Sequence, residues 1–251
     1  ALPPGSLPQP FAERRETAPG SRSKLRDMCG RYSWKQPSKR AFTELVEEAP
    51  QEARPSYNRA PGQVHPTLSV TGQTIAWTPM WWARPANGDS SGNKLFPINA
   101  RSETVTDKPI FCESFRQRRC LVPADGFYEW ESSDDGKYPY FIHLPGGSAF
   151  AMAGIWRNAP DGNDPGLSFC ILTRSAHPSL LHLHHRMPLL VVEEDRQAWL
   201  DPSTPQARLS RILEGGRVAM DSYQVSKRVN ATRNDDPRLQ DASGERQATL
   251  F

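Results

Sequence analysis

Short alternating runs cut by breakers, rather than long amphipathic stretches, fill the middle of this 251-residue chain. Residues 67–70 and 74–77 are rich in β-branched and aromatic side chains and flank Gly72, the pattern of two strands joined by a turn. Further strand-like runs over 120–123, 126–131, 138–144, 149–156 and 167–173 are separated by Pro, Gly and Asp. Helical spacing sits outside them. Residues 40–49 put Phe42, Leu45 and Val46 on one face, and 107–119 carry Ile110, Phe111 and Phe115 among arginines. Residues 193–200 and 204–214 read as two late helices, the second capped by Ser203 or Thr204 and closed by Gly215. Strands in the middle with helices around them predict an α+β fold on a mainly antiparallel, barrel-like sheet.

The ends lack such patterning. Residues 1–27 are rich in Pro, Arg, Ser and Gly, and are expected to be disordered or to lie outside the natural start. The folded domain is expected over 28–235, with a flexible tail over 236–251. The 24 prolines argue for many loops and against a helical bundle. No apolar run approaches the roughly 18 residues of a membrane-spanning helix, and no apolar core follows a basic start as in a secretion signal. The cysteines (Cys29, Cys112, Cys120, Cys170) form no CxxC pair, so reduced thiols in a cytosol are expected. Net charge is +3, and residues 1–27 hold five basic against three acidic side chains, leaving about +1 for the rest. Binding of a polyanion therefore requires the basic groups to be gathered on one face.

Several segments could carry chemistry. In Met28-Cys29-Gly30-Arg31, removal of the Met would make Cys29 the first residue, with an amine and a thiol on the same residue. An α-amine has a pKa of about 8 against about 10.4 for lysine, so far more of it is free at neutral pH. Such an amine forms a Schiff base with an aldehyde, and the thiol then closes a five-membered thiazolidine. The alternative is a small buried cysteine in a first strand. In Phe96-Pro97-Ile98-Asn99-Ala100-Arg101-Ser102-Glu103-Thr104, an extended backbone points Asn99 and Arg101 to the same side, an amide beside a phosphate-binding guanidinium, or else marks a strand end. Glu129, among Phe127, Tyr128 and Trp130, is an acid/base candidate whose surroundings tend to raise a carboxyl pKa; alternatively it faces solvent from an alternating strand. His182-Leu183-His184-His185-Arg186 gathers three histidines without a Cys or carboxylate at ligand spacing, so no metal is expected; a histidine acid/base and a phosphate-binding Arg186 fit better. Trp81 and Trp82 suit stacking on unpaired bases, with at least one of them expected in the core.

In their order these segments resemble the SRAP (SOS-response-associated peptidase) family, also described as abasic-site processing proteins. The matches are Met28-Cys29-Gly30-Arg31-Tyr32, Tyr57-Asn58-Arg59-Ala60-Pro61-Gly62, Ile98-Asn99-Ala100-Arg101-Ser102-Glu103-Thr104, Gly126-Phe127-Tyr128-Glu129-Trp130 and His184-His185-Arg186-Met187-Pro188. The resemblance implies a pseudo-barrel of β-strands with peripheral helices. It implies single-stranded DNA with abasic sites as partner, no cofactor, and covalent capture of the ring-opened sugar by Cys29 as a thiazolidine. By the same resemblance Asn99 orients the terminal amine, Glu129 assists proton transfer, and His184 assists sugar ring opening and crosslink reversal. Arg31, Arg101 and Arg186 correspond to phosphate contacts, Trp81 or Trp82 and the Asn58 loop border the base-stacking surface, and Thr173 is a further site candidate. The family often has Asp where this chain has His185, which leaves open whether His184 or His185 faces the cleft.

Two other readings stand beside this one. Cys29, His184 and Glu129 also suit a thiol peptidase, including one that removes its own leader; a non-covalent DNA-binding module is the third. The amine is free only if residues 1–28 are absent or removed. The tail segment Gln247-Ala248-Thr249-Leu250-Phe251 is similar to the pentapeptide that binds the bacterial sliding clamp, or else docks back on its own domain. A monomer in the bacterial cytoplasm, at the nucleoid when bound to DNA, is expected.

Overall fold

A computed structural model describes residues 30–35, 42–46, 54–83, 96–158 and 166–243. Strands β1 (Tyr32–Trp34) and β2 (Ser56–Arg59) precede the hairpin of β3 (Val64–Thr71) and β4 (Thr74–Trp82). The short β5 (Asn99–Arg101) leads through a 3-10 turn, Ser102–Thr104, to helix α1 (Pro109–Gln117). Next come β6 (Arg119–Ala124), β7 (Gly126–Ser133), β8 (Gly136–His143), β9 (Phe150–Asn158) and β10 (Leu167–Ser175). The pair β11 (Arg186–Pro188) and β12 (Leu190–Val191) lies before helices α2 (Glu193–Leu200) and α3 (Gln206–Glu214), and β13 (Asp221–Gln224) comes after them.

The strands form two sheets. One runs β13-β8-β7-β1-β2. The other runs β11-β10-β4-β3-β6-β9-β12, and β10 also pairs with β9, so that β10, β4, β3, β6 and β9 close into a ring. Among the described residues pairing is antiparallel except where β10 meets β4 and β5. The expected α+β pseudo-barrel with helices at its periphery is therefore the fold found.

Alternation along the strands divides the core. Phe127 and Ile142 of the first sheet meet Met80, Trp82, Phe169 and Ile171 of the second in one apolar cluster. The side chains of opposite parity, Leu121, Ala153 and Leu172, face α1, α2 and α3 through Phe115, Trp199, Leu200, Leu209 and Ile212. Tyr128 and Phe141 cover the outer face of the first sheet with Val225, Val229 and Leu239. Arg119 ties the helical layer together. Its guanidinium donates to the carbonyls of Phe115 and Arg116 at the end of α1 and of Trp199 and Asp201 at the end of α2, at 2.5–2.6 Å. Those are carbonyls that a helix end leaves without an internal partner. Burial of this side chain lowers its pKa to about 10.

Two tight corners set the strands in place. Gly72 takes φ +64 at the first of the two residues between β3 and β4 while Gln73 does not, which fits a type II′ hairpin turn. Between β6 and β7 stands a single residue, Asp125, where the chain passes from one sheet to the other. Its carboxylate accepts from the Ser33 hydroxyl and the Lys35 amide, both at 2.5 Å, and pins β1 to this corner. Glycine is required at 126 because a Cβ there would lie 2.1 Å from Cζ of Phe141.

The structure corrects three expectations. Residues 42–46 form a turn in which the Leu45 and Val46 amides donate to the Phe42 carbonyl, with Phe42 itself at φ +69, rather than part of a helix over 40–49. Helix α3 starts after Pro205 with no side-chain cap, so neither Ser203 nor Thr204 caps it; Ser203 bonds Asp201 instead, and the Thr204 hydroxyl donates to the Ala198 carbonyl. The chain also stays folded past residue 235. The turn Pro237–Gln240 buries Leu239 completely, and Ala242 bridges to Val225. Among the described residues no helix is long and apolar enough to cross a membrane.

Candidate active site

Pairing in the sheets fixes which way the singled-out side chains point. In β5 Ala100 belongs to the helix-side core, so Asn99 and Arg101 point the other way, as the sequence pattern predicts. Strand β5 pairs in parallel with β10, Asn99 beside Ile171 and Arg101 beside Thr173. Ile171 belongs to the inter-sheet cluster, which fixes that side as the inner one. Thr173 is fully buried, and its hydroxyl donates to the Ala100 carbonyl at 3.3 Å.

Glu129 comes from the opposite wall. It has the parity of Phe127, which lies in the inter-sheet cluster, and is 4% exposed, so it turns inward rather than to solvent. Across the sheet it faces Tyr140 of β8. On its other side lies β1, with Tyr32 opposite Phe127 and the Tyr128 amide donating to the Arg31 carbonyl at 3.0 Å. Continuing that register brings Gly30 alongside Glu129. Cys29 itself lies outside the described residues, as do Gln247, Leu250 and Phe251 of the tail and residues 1–27.

The loop before β11 meets the first sheet at Tyr140. The His182 ring meets Tyr140 edge-on at 6.4 Å, and Tyr140 donates its hydroxyl to Glu131 at 3.1 Å. His184 is half-buried and accepts at Nδ1 from the Arg186 amide at 3.1 Å, so the proton of its neutral ring belongs on Nε2. His185 is exposed and stacks on His184 at 4.4 Å between ring centres. Of the two, His184 is the one set into the protein.

Arg186 is 7% exposed and engaged on one side: Nη1 and Nη2 donate to the two carboxylate oxygens of Glu103 at 2.5 and 2.8 Å. Nη2 also reaches the Thr173 carbonyl at 2.6 Å. Burial alone would raise the Glu103 pKa, but the hydrogen bonds and the charges of Arg186 and Arg101 outweigh it and hold the carboxyl below its usual value. Sequence reasoning assigns Glu103 no role. The only signal for it is an acid two positions beyond Arg101 in the Asn99-to-Thr104 segment. Asp125 escapes in the same way, although an Asp-Gly pair directly before a strand marks a corner.

Other singled-out residues lie elsewhere. Asn58 is buried, donates to the carbonyls of Val229, Ala231 and Asn234, and accepts from Arg31 at 3.0 Å. Arg31 is half-buried and donates to the Val229 carbonyl at 2.7 Å as well. Both fasten the segment after β13 to the first sheet, so the Asn58 side chain offers no surface to bases. Trp82 is fully buried, stacked on Phe169 with its indole N–H on the Ile98 carbonyl, and is a core residue rather than a stacking platform. Trp81, half-buried at the end of β4 beside Val64, keeps that role open. Arg101 is exposed.

The two sheets and the loop before β11 thus supply an inward carboxyl in Glu129, an amide in Asn99, an imidazole in His184 that accepts at Nδ1, and guanidiniums. That set can move protons at a bound electrophile and hold an anion beside it.

A model of the SOS response associated peptidase (SRAP) family matches residues 28–232. Over 231 residues the chain is 33% identical to the abasic site processing protein YoqW of Bacillus subtilis (strain 168), covering 84% of this chain and 98% of that one. It is 28% identical over 228 residues to the abasic site processing protein YedK of Escherichia coli (strain K12), again covering 84% and 98%. Among solved structures, a phage-related protein of Bordetella bronchiseptica gives a TM-score of 0.65 at 32% identity over 79% of this chain and 95% of that one. A Bacteroides thetaiotaomicron protein gives 0.68 at 22% identity, over 86% and 100%, which speaks for the fold alone.

Proposed function

Because this chain belongs to the SOS response associated peptidase family, we propose that it captures abasic sites in single-stranded DNA covalently, through Cys29 exposed as the first residue. The single observation that carries this reading is the β1–β7 register, which leads the chain toward residue 29 past a carboxyl that is 4% exposed and faces inward. An amine delivered there meets Glu129 on one wall and the Asn99–Thr173 strands on the other.

Every proton and bond in the capture has a place. His184, carrying its proton on Nε2, donates to the ring oxygen of the abasic sugar as the C1′–O4′ bond breaks, and the C1′ hydroxyl passes its proton to the Glu129 carboxylate, leaving the aldehyde. The Cys29 α-amine adds to the aldehyde carbon, and Glu129 shuttles the proton needed to expel the hydroxyl as water. The thiol then adds across the resulting C=N bond, its proton passing to nitrogen, and the thiazolidine closes without a further leaving group. Asn99 holds the amine with its lone pair toward the carbon. The reverse sequence releases the protein, which gives His184 and Glu129 their part in reversal. Arg101 and Arg186 steady the flanking phosphates, and Trp81 stacks on a neighbouring base. A role on replicating DNA sets the protein in the cytoplasm, and Gln247, Leu250 and Phe251 would tether it to a sliding clamp.

The thiol peptidase uses the same cysteine, and one experiment separates the two. A chain beginning at Cys29 is mixed with an abasic single strand and run on a denaturing gel. A shifted band is expected, lost entirely in Cys29→Ala. No shift with that chain, together with self-cleavage between Met28 and Cys29 in the chain that still carries residues 1–28, would establish the peptidase instead.

A further inference from the structure

Arg186 belongs to a group of four arginines near the edge formed by β10, β11 and the end of α3. Arg174 precedes Ser175, the partner of Arg186, and points from β10 to the opposite face from Thr173. It is 7% exposed, and its Nη1 donates to the carbonyl of Glu214, the last residue of α3, at 3.0 Å. The turn after α3 runs through Gly216, held at φ +67 and so close to the Leu190 backbone that a Cβ would lie 2.0 Å from its carbonyl oxygen. That turn delivers the exposed Arg217.

Arg174 serves one of the carbonyls left open at the end of α3 with one of its five N–H groups. Helix capping does not explain the rest. The Nε of Arg174 is buried with no acceptor among the described residues. The charges acting on Arg174 are Arg217, Glu103 and Arg186, two of the three repulsive. Glu103 is the one attractive charge among them, and both its oxygens already accept hydrogen bonds from Arg186. Arg101, Arg174, Arg186 and Arg217 against Glu103 leave three positive charges here, on a chain whose residues beyond 27 sum to about +1, so this edge holds a local excess of positive charge that favours a polyanion.

We propose that Arg174 and Arg217 form a second phosphate subsite, across which the DNA strand leaves the reacting nucleotide over the β10–β11 edge. This rests on the single-stranded DNA reading above. Arg217 supplies the accessible charge. Arg174, anchored on α3, supplies the positive potential behind it.

The probe is a labelled single strand of about 16 nucleotides with a central tetrahydrofuran, an abasic analogue that has no aldehyde and reports binding alone. Affinity is measured by anisotropy across a salt series for the parent, Arg217→Gln and Arg174→Gln. Each phosphate contact on a single strand contributes about 0.7 to the slope of log affinity against log salt. Arg217→Gln, at an exposed position, is expected to flatten the slope by about that amount and to weaken binding several-fold at low salt. The difference is expected to vanish when the probe is trimmed from one end and to persist when it is trimmed from the other. A salt-dependent parent with an unchanged slope in Arg217→Gln overturns the subsite and leaves the crosslinking reading intact, even should Arg174→Gln fail to fold. A parent that neither binds this probe nor crosslinks its aldehyde counterpart overturns both.

Discussion

Glu129→Gln is expected to slow adduct formation with abasic single strands by roughly 10²–10⁴-fold, the usual contribution of a positioned acid/base group. The substitution keeps the shape of a side chain that is 4% exposed and paired across from Tyr140, so the fold should survive it. Aldehyde and amine still meet, but expulsion of water from their adduct loses its proton shuttle. A time course on denaturing gels, at saturating DNA, gives the rate directly. A rate equal to the parent's would remove Glu129 from the chemistry and leave it a structural carboxyl. A parallel melting curve guards against loss of the fold as the cause.

Acid sensitivity is the second large effect, and it arises at His65. This ring sits between Tyr32, Trp82 and Phe169, accepts at Nδ1 from Arg59 and donates from Nε2 to the Ala60 carbonyl, both at 3.0 Å. Burial, and then the Arg59 charge, lower its pKa to about 3. The unfolded chain takes a proton at this residue near pH 6.5, and the folded one refuses it until near pH 3. Stability is therefore unaffected by His65 above pH 6.5 and falls as pH drops below it, because the unfolded state binds the extra proton. The loss amounts to roughly 2 kcal/mol by pH 5. Urea melts at pH 7 and pH 5 should show the parent losing that much more than His65→Gln, whose amide keeps both hydrogen-bonding roles. Equal losses in the two proteins would mean that His65 is not held neutral.

The long central strands and the three helices are legible in the sequence because each carries its own signal. Strands β3, β4 and β6 to β10 run over six residues or more between turn residues, and α1, α2 and α3 show apolar positions at helical spacing. Strands β1, β2, β5, β11, β12 and β13 span two to four residues, too few for a period to register, and exist through the partners they meet. The segment around Phe42 has helical spacing but spends its apolar side chains against Trp77 from a turn. Site residues divide in the same way. Local alternation is enough to set Asn99 and Arg101 on one side, whereas the inward turn of Glu129 depends on a second sheet. The stacking of Trp82 on Phe169 and the clasp of Asn58 and Arg31 on residues 229–234 come from chain more than 80 positions distant, which no local pattern encodes. Glu103 and Asp125 escape sequence reasoning because a carboxylate shows its purpose only through its partners, Arg186 in one case and Ser33 with Lys35 in the other.

Mass spectrometry of the adduct examines the proposed covalent linkage at the atom. A chain starting at Cys29 is incubated with an abasic single strand, digested with nuclease and protease, and its peptides are fragmented. The sugar remnant is predicted on the peptide that begins with Cys29, at the aldehyde mass less one water and with the thiol no longer open to alkylation. A remnant on a lysine, or a Cys29 peptide unmodified with its thiol still reactive, would contradict capture by a terminal cysteine.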